Sequence, residues 1–185
     1  MNSIDNSHIR RRDRILDDET IMNIITTGEF GTLSMVEEIH SENSEETEYK
    51  GYGIPLNYVY DSDKNCLYFH GAYEGKKMTL LKQHPKVTFS IVGKTNVVGE
   101  KLTTEYQSVL LQGEMILEIE GDEKTEALYK YVEKYVPGYS RQQLEERFGA
   151  MINGSYKRTQ ISKLVNITIS GKGKKVFAIN FVELK

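Results

Sequence analysis

The chain has 185 residues, 38% hydrophobic and 28% charged, with a net charge of −3, the composition of one ordinary globular domain. That charge argues against a nucleic-acid partner bound by phosphate neutralisation, and no apolar run approaches the roughly 20 residues that cross a bilayer. One cysteine, Cys66, and no Cys/His cluster of metal spacing exclude an internal disulfide and a zinc site, so a cytoplasmic location is expected.

Residues 1–14 are polar, carry Arg10, Arg11 and Arg12, and read as a solvated N-terminal arm; residues 15–185 read as a single domain. A short helix follows, with Asp17 or Asp18 as cap, Ile21, Ile24 and Ile25 on one face, and Gly28 as its stop. Residues 30–36 are a strand. The acidic stretch 37–50 reads as a long exposed hairpin connection that could cover a cleft. Residues 51–60 are β-like and broken at Pro55, which has no N–H to give and so belongs at an edge, at a bulge or beside a ligand. A turn at 61–65 leads into strand 66–70, in which Cys66 reads as a small buried apolar group.

Residues 74–83 form a short helix, 87–92 a strand and 93–102 a polar loop. Residues 104–120 make a long β segment with Gly113 as a bulge or bend. Asp122 caps a helix with Leu128, Tyr131, Val132 and Tyr135 at helical spacing, its tyrosines packing inward or at a dimer surface. Ser140 and Gln143 form a capping box ahead of the next helix. Residues 164–170 and 176–182 read as two final strands around Gly171-Lys172-Gly173. Six or more strands, mostly linked as hairpins, with short helices make a mainly β fold, not a doubly wound parallel sheet.

Chemistry concentrates in Tyr68-Phe69-His70-Gly71-Ala72-Tyr73-Glu74-Gly75-Lys76-Lys77, a strand running into a helix with two lysines in its first turn. Cations are disfavoured at the positive end of a helix. They fit there if an anion sits among them, and phosphate is the usual guest of such an end; otherwise the pair is simply solvated. His70 is either a satisfied structural side chain or a substrate-facing group, able to supply a proton near neutrality. No triad motif supports hydrolysis.

Three blocks occur in order: Gly53-Ile54-Pro55-Leu56-Asn57-Tyr58-Val59-Tyr60; Leu67 to Ala72 with Gly75-Lys76-Lys77; and Tyr106-Gln107-Ser108-Val109 with Gly113. With Arg11-Arg12-Asp13-Arg14 they make the chain, from about residue 10 to about 170, closely resemble the NimA-like 5-nitroimidazole reductases. These belong to the pyridoxamine 5′-phosphate oxidase-like, FMN-binding split-barrel superfamily. The resemblance implies a Greek-key split barrel of antiparallel strands and a homodimer with FMN at the subunit interface. It places Pro55, Leu56, Asn57 and Tyr58 along the isoalloxazine and His70, Gly71 and Ala72 in the cofactor pocket. Lys76 and Lys77 would take the phosphate, Tyr106 and Ser108 would complete the site from the partner, and His70 would be catalytic. The implied activity is FMN-dependent reduction of a small acceptor such as a nitro compound, with NAD(P)H as a possible reductant. The alternative is a non-catalytic flavin- or haem-binding protein with His70 as haem ligand. The chain has no tryptophan and its C-terminal strands lack the Trp-and-Arg signature of pyridoxamine phosphate oxidases, so vitamin B6 oxidation is not implied.

Overall fold

Strict alternation from Phe30 to Met35 buries Gly31, Leu33 and Met35 and exposes Phe30, Thr32 and Ser34, the period of a strand with one wet face. The same logic runs through the sheet in the computed structural model, which describes residues 3–40 and 46–174. The elements are β1 (Ser3–Ile4), α1 (Asp18–Thr27), β2 (Phe30–His40), β3 (Thr47–Asn57), β4 (Val59–Asp61), β5 (Cys66–Gly71), α2 (Lys76–Gln83), β6 (Lys86–Val98), β7 (Thr103–Ile119), α3 (Gly121–Tyr135), α4 (Arg141–Tyr156) and β8 (Gln160–Lys174).

The strands lie in the order β3-β2-β6-β7-β8-β5-β4, with β1 added beside β8. Every pairing is antiparallel except β1 with β8. The two outermost strands of this order, β3 and β4, are separated in the chain by Tyr58 alone. A sheet whose edges are one residue apart in sequence must roll up. No ladder joins β3 to β4 or β5 among the described residues, so the barrel is split along that line. Its interior is filled by Leu33, Phe69, Phe89, Leu111 and Leu164, plugged by Ile21 and Ile25 of α1. A second core under α3 and α4 contains Tyr68, Ala127, Tyr131, Ile152 and Ile161.

Several sequence expectations shift. The arm is not free: β1 pairs with Thr168 and Ile169, the Asn6 side chain accepts from the Gly171 N–H at 3.0 Å, and Ile9 is buried. Most of the acidic stretch is strand, because β2 and β3 carry their alternating charges out to His40 and back from Thr47 as a solvated ribbon; residues 41–45 lie outside the described ones. β3 passes through Pro55 without a break. The polar loop at 93–102 is instead the continuation of β6, bulged after Val92, and a short 3-10 turn. Asp17 caps α1 as expected, and Ser140 with Gln143 closes the capping box. Asp122 does not cap α3; it lies in the first turn, where its charge faces the helix dipole. The helix at 74–83 begins only at Lys76.

The largest revision concerns Gly171 and Gly173, which punctuate no turn. β8 runs straight through them, and strand 176–182 lies outside the described residues. A Cβ on Gly171 would sit 2.3 Å from Ile21 Cγ1, and one on Gly173 2.7 Å from Leu16 Cδ2. These glycines let α1 close onto the barrel. Gly171→Ala should overpack that contact at a cost of about 2 kcal/mol, lowering Tm by roughly 4–8 °C for a chain of this size; an unchanged thermal melt would contradict the packing argument.

Candidate functional site

β5 buries Leu67, Tyr68 and Phe69 and turns His70 outward. The chain leaves the sheet at Gly71, crosses residues 72–75 and enters α2 through Gly75, whose φ of +112° favours glycine. Met78, Leu80 and Leu81 seat α2 on the core. Among the described residues no side chain caps this helix. The Met78 and Thr79 N–H groups donate to Gly75 O at 2.9 and 3.2 Å, while those of Lys76 and Lys77 find no acceptor among the described residues. Two donors without an acceptor among the described residues therefore lie at the positive end of the helix.

The two lysines are not equivalent. Lys76 Nζ lies 2.7 Å from Glu37 Oε2 and 4.7 Å from the centroid of the Tyr52 ring. Lys77 folds back over the end of β5, so that a Cβ on Gly71 would lie 2.5 Å from its Nζ. It has no carboxylate partner among the described residues, and burial draws its pKa down. Burial, followed by the Lys77 charge, likewise holds the His70 imidazole below its ordinary value. The His70 ring stands edge-on to Tyr131 at 4.7 Å and 88°.

Across the split stands the outer edge of β3. Pro55 and Asn57 face outward and are exposed, Leu56 faces the core, and Ala72 is exposed in the loop after β5. Pro55, opposite Thr32 of β2, thus occupies an edge strand, where its missing N–H costs no ladder bond. Tyr58 is wholly buried: its hydroxyl donates to Ile25 O at 2.7 Å and its ring packs edge-on against Phe89. Its carbonyl is also occupied, accepting from Tyr135 Oη at 2.9 Å and Lys134 Nζ at 3.0 Å. Between β5 and α3 a chamber of about 320 Å³ is lined by Asn57, His70, Tyr131, Val132, Tyr135 and Val136.

Of the expected site residues, Asn57 and His70 line one depression, Lys77 lies against Gly71 at the end of β5, and Lys76 is turned toward Glu37 and Tyr52. Tyr106 and Ser108 are elsewhere. Ser108 lies opposite Lys172, whereas His70 lies opposite Ile161, eleven residues back along β8, or on the order of 35 Å of strand. Cys66 is buried and its thiol is pushed upward in pKa by that burial, consistent with a packing role.

The sequence reading passed over a strut behind the loop. Lys124, 1% exposed, donates to Tyr73 Oη at 2.7 Å and to Glu120 Oε1 at 3.0 Å, and lies over the Tyr156 ring. Tyr73 also donates to Glu120, so the loop bearing Ala72 is tied to α3. The i,i+4 spacing of Glu120 and Lys124 was the available signal.

These electrostatics have a measurable sign. The folded protein resists protonating His70, so its NMR titration midpoint should fall below about 6.5. Stability present above that pH should be lost as pH falls toward the folded midpoint, because the unfolded chain takes up the proton first. Lys77→Met should raise the midpoint; a midpoint unmoved by this change would separate the two groups electrostatically.

Among curated proteins no sequence matches the chain. Solved structures are similar in fold. One is a candidate 5-nitroimidazole antibiotic resistance protein from Bacteroides thetaiotaomicron, 19% identical over 86% of each chain with a TM-score of 0.60. Another is an FAD-binding protein from Mesorhizobium loti, 18% identical over 88% of this chain and 98% of its own, at 0.52. A third, an FAD- and haem-binding protein from Mycobacterium smegmatis, is 15% identical over 86% of this chain and 72% of its own, at 0.60. The rolled, split antiparallel sheet is theirs as well. Residues 17–167 match the family model described as pyridoxamine 5′-phosphate oxidase, and with most of its length inside that match the chain belongs to this split-barrel family.

Proposed function

We propose that the protein is an FMN-dependent reductase, assembled as a homodimer, that passes electrons from a reduced nicotinamide to a small acceptor such as a nitroimidazole or another nitro compound. The observation that carries this reading is the half-buried Lys77 ammonium, which has no carboxylate partner among the described residues, set beside two first-turn helix N–H groups that likewise find no acceptor there. Such a group is costly unless an anion meets it, and a phosphate monoester supplies oxygens for ammonium and amides together. Two fold neighbours that bind FAD support a flavin as the class of cofactor.

When bound, FMN supplies the hydride and electron chemistry, and the protein supplies orientation, proton control and access. Lys77 and the first-turn amides of α2 hold the phosphate, with Lys76 contributing to the extent that Glu37 releases it. The second edge of β3, unpaired among the described residues, offers backbone donors and acceptors around Pro55, Leu56 and Asn57 for the polar rim of a flat heterocycle. His70 delivers a proton from an imidazole nitrogen to the acceptor; as an acid it is strengthened by the same burial and charge that lower its pKa. Tyr106 and Ser108 can join this site only from a second copy. The exposed Val97 and Leu102, at 77% and 95%, on the β6–β7 hairpin that carries them suit an interface.

Flavin titration followed by fluorescence quenching tests the assignment. Lys77→Ala should weaken FMN by ten- to a hundredfold, as expected for one charge-assisted hydrogen bond of about 1.5–3 kcal/mol, while leaving riboflavin untouched. Lys76→Ala should cost less, its ammonium being shared with Glu37. Equal losses for FMN and riboflavin would defeat the phosphate assignment. His70→Ala should keep FMN affinity and slow nitro reduction by about a hundredfold; undiminished turnover would return the histidine to a packing role.

A further inference from the structure

We propose that Gln160 is a further binding residue of the Lys77 site, its side-chain carbonyl accepting a hydrogen bond from a hydroxyl on the carbon chain that bears the phosphate. This rests on the reductase reading and gives the hydroxylated chain of its cofactor a partner. Gln160 opens β8 and is 0% exposed. Its Nε2 donates to Ile161 O at 2.9 Å, which fixes the orientation of the amide. Its Oε1 is then left as the one buried side-chain oxygen or nitrogen without a hydrogen-bond partner among the described residues. A buried acceptor in that state is costly and asks for a physical reason.

The strand register supplies one. Gln160 stands directly opposite Gly71 of β5, and residues opposed in a ladder send their side chains to the same face of the sheet. On that face a Cβ of Gly71 would lie 2.5 Å from Lys77 Nζ. The ammonium and the amide thus meet over one rung, the first from α2 and the second from β8, yet no bond joins them. Their needs are opposite: the ammonium wants an acceptor and the carbonyl a donor. A phosphate dianion serves the first and cannot serve the second. A further ammonium would face both Lys77 and the positive end of α2. A hydroxyl beside the phosphate donates without adding charge. The ring of FMN takes its polar contacts from the β3 edge in this reading, so the hydroxyls of the connecting chain are the donors that remain. Oε1 is closed off while Lys77 is folded back over this rung, and a lysine turned toward an anion opens it.

The probes are FMN and an analogue carrying the same ring and phosphate on an unsubstituted pentyl chain, each titrated by fluorescence quenching. Gln160→Met keeps the size of the side chain and removes the acceptor. It should weaken FMN by roughly two- to tenfold, the net worth of one neutral hydrogen bond, and leave the analogue unchanged. The ligand-free variant should melt at or above the wild-type temperature, because a buried unsatisfied acceptor has gone; Gln160→Leu repeats the comparison if the methionine variant does not fold. Undiminished FMN affinity overturns the inference. So do equal losses for FMN and the analogue with a lowered melt, the result of a packing role. The two readings fail separately: wild-type protein that binds neither flavin defeats the phosphate assignment and Gln160 with it. Both flavins bound through Lys77 but treated alike by Gln160→Met defeat the Gln160 assignment alone.

Discussion

An ammonium held half out of water with no counter-charge is unfavourable, and the turn from Gly71 to Lys77 maintains one that has no carboxylate partner among the described residues. Left to itself Lys77 would swing into solvent. It stays because Met78, Leu80 and Leu81 fix α2 to the barrel, because the absence of a side chain at Gly71 opens room for the lysine to fold back, and because Lys124 ties the intervening loop to α3. The fold thus spends packing to keep a cation where it gains least from water, an arrangement typical of sites that wait for a ligand. His70, next along the same strand, feels the consequence as a suppressed proton affinity.

The α3–α4 pair, inserted between β7 and β8, gives the cleft its second wall. Tyr131 and Tyr135 reach across to the carbonyls of Tyr68, Tyr58 and Glu29, satisfying groups that would otherwise be orphaned where β3 turns into β4. Their attachment outweighs a local penalty: Lys134, on the same turn of α3, is drawn down to about 8 by burial, although it donates to Tyr58 O and lies 3.9 Å from the centroid of the Tyr58 ring. The hydrogen bond to Tyr58 O and the contact with the Tyr58 ring offset that penalty, so the half-buried cation helps dock α3 on the barrel.

Much of this was legible in the chain. The strand-to-helix step at His70–Lys77, the cap at Asp17, the box at Ser140 and the core isoleucines of α1 follow from local rules that tertiary contacts did not overrule. What was illegible depends on distant partners. Gly171 and Gly173 look like turn residues until Ile21 and Leu16, some 150 positions earlier, are laid against them. The acidic ribbon looks like a loop because both faces of a projecting hairpin are wet, so its period of two carries no apolar signal. Pro55 left an edge, a bulge or a neighbouring ligand open, and it did not show that its strand borders the split. Tyr58 sits within the first of the three blocks, yet the inward parity of its position puts it in the core, a fact that spacing along one strand cannot give without knowing which face is buried.

The lysine pair shows the same limit at finer grain. In sequence Lys76 and Lys77 are interchangeable, but consecutive helical residues point about 100° apart, so they cannot serve one anion alike. Lys76 projects toward the β2–β3 ribbon, where Glu37 and Tyr52 meet it; Lys77 projects into the split. Glu37 is then a competitor built into the fold. On the proposed assignment a phosphate would gain Lys77 outright but would have to draw Lys76 from an ion pair already formed, so the second lysine would add only the difference between two anions. Both side chains of that pair are partly exposed, which keeps the difference small. The affinity of the proposed site would accordingly be set by Lys77, which has no carboxylate partner among the described residues, with the acidic ribbon tempering it.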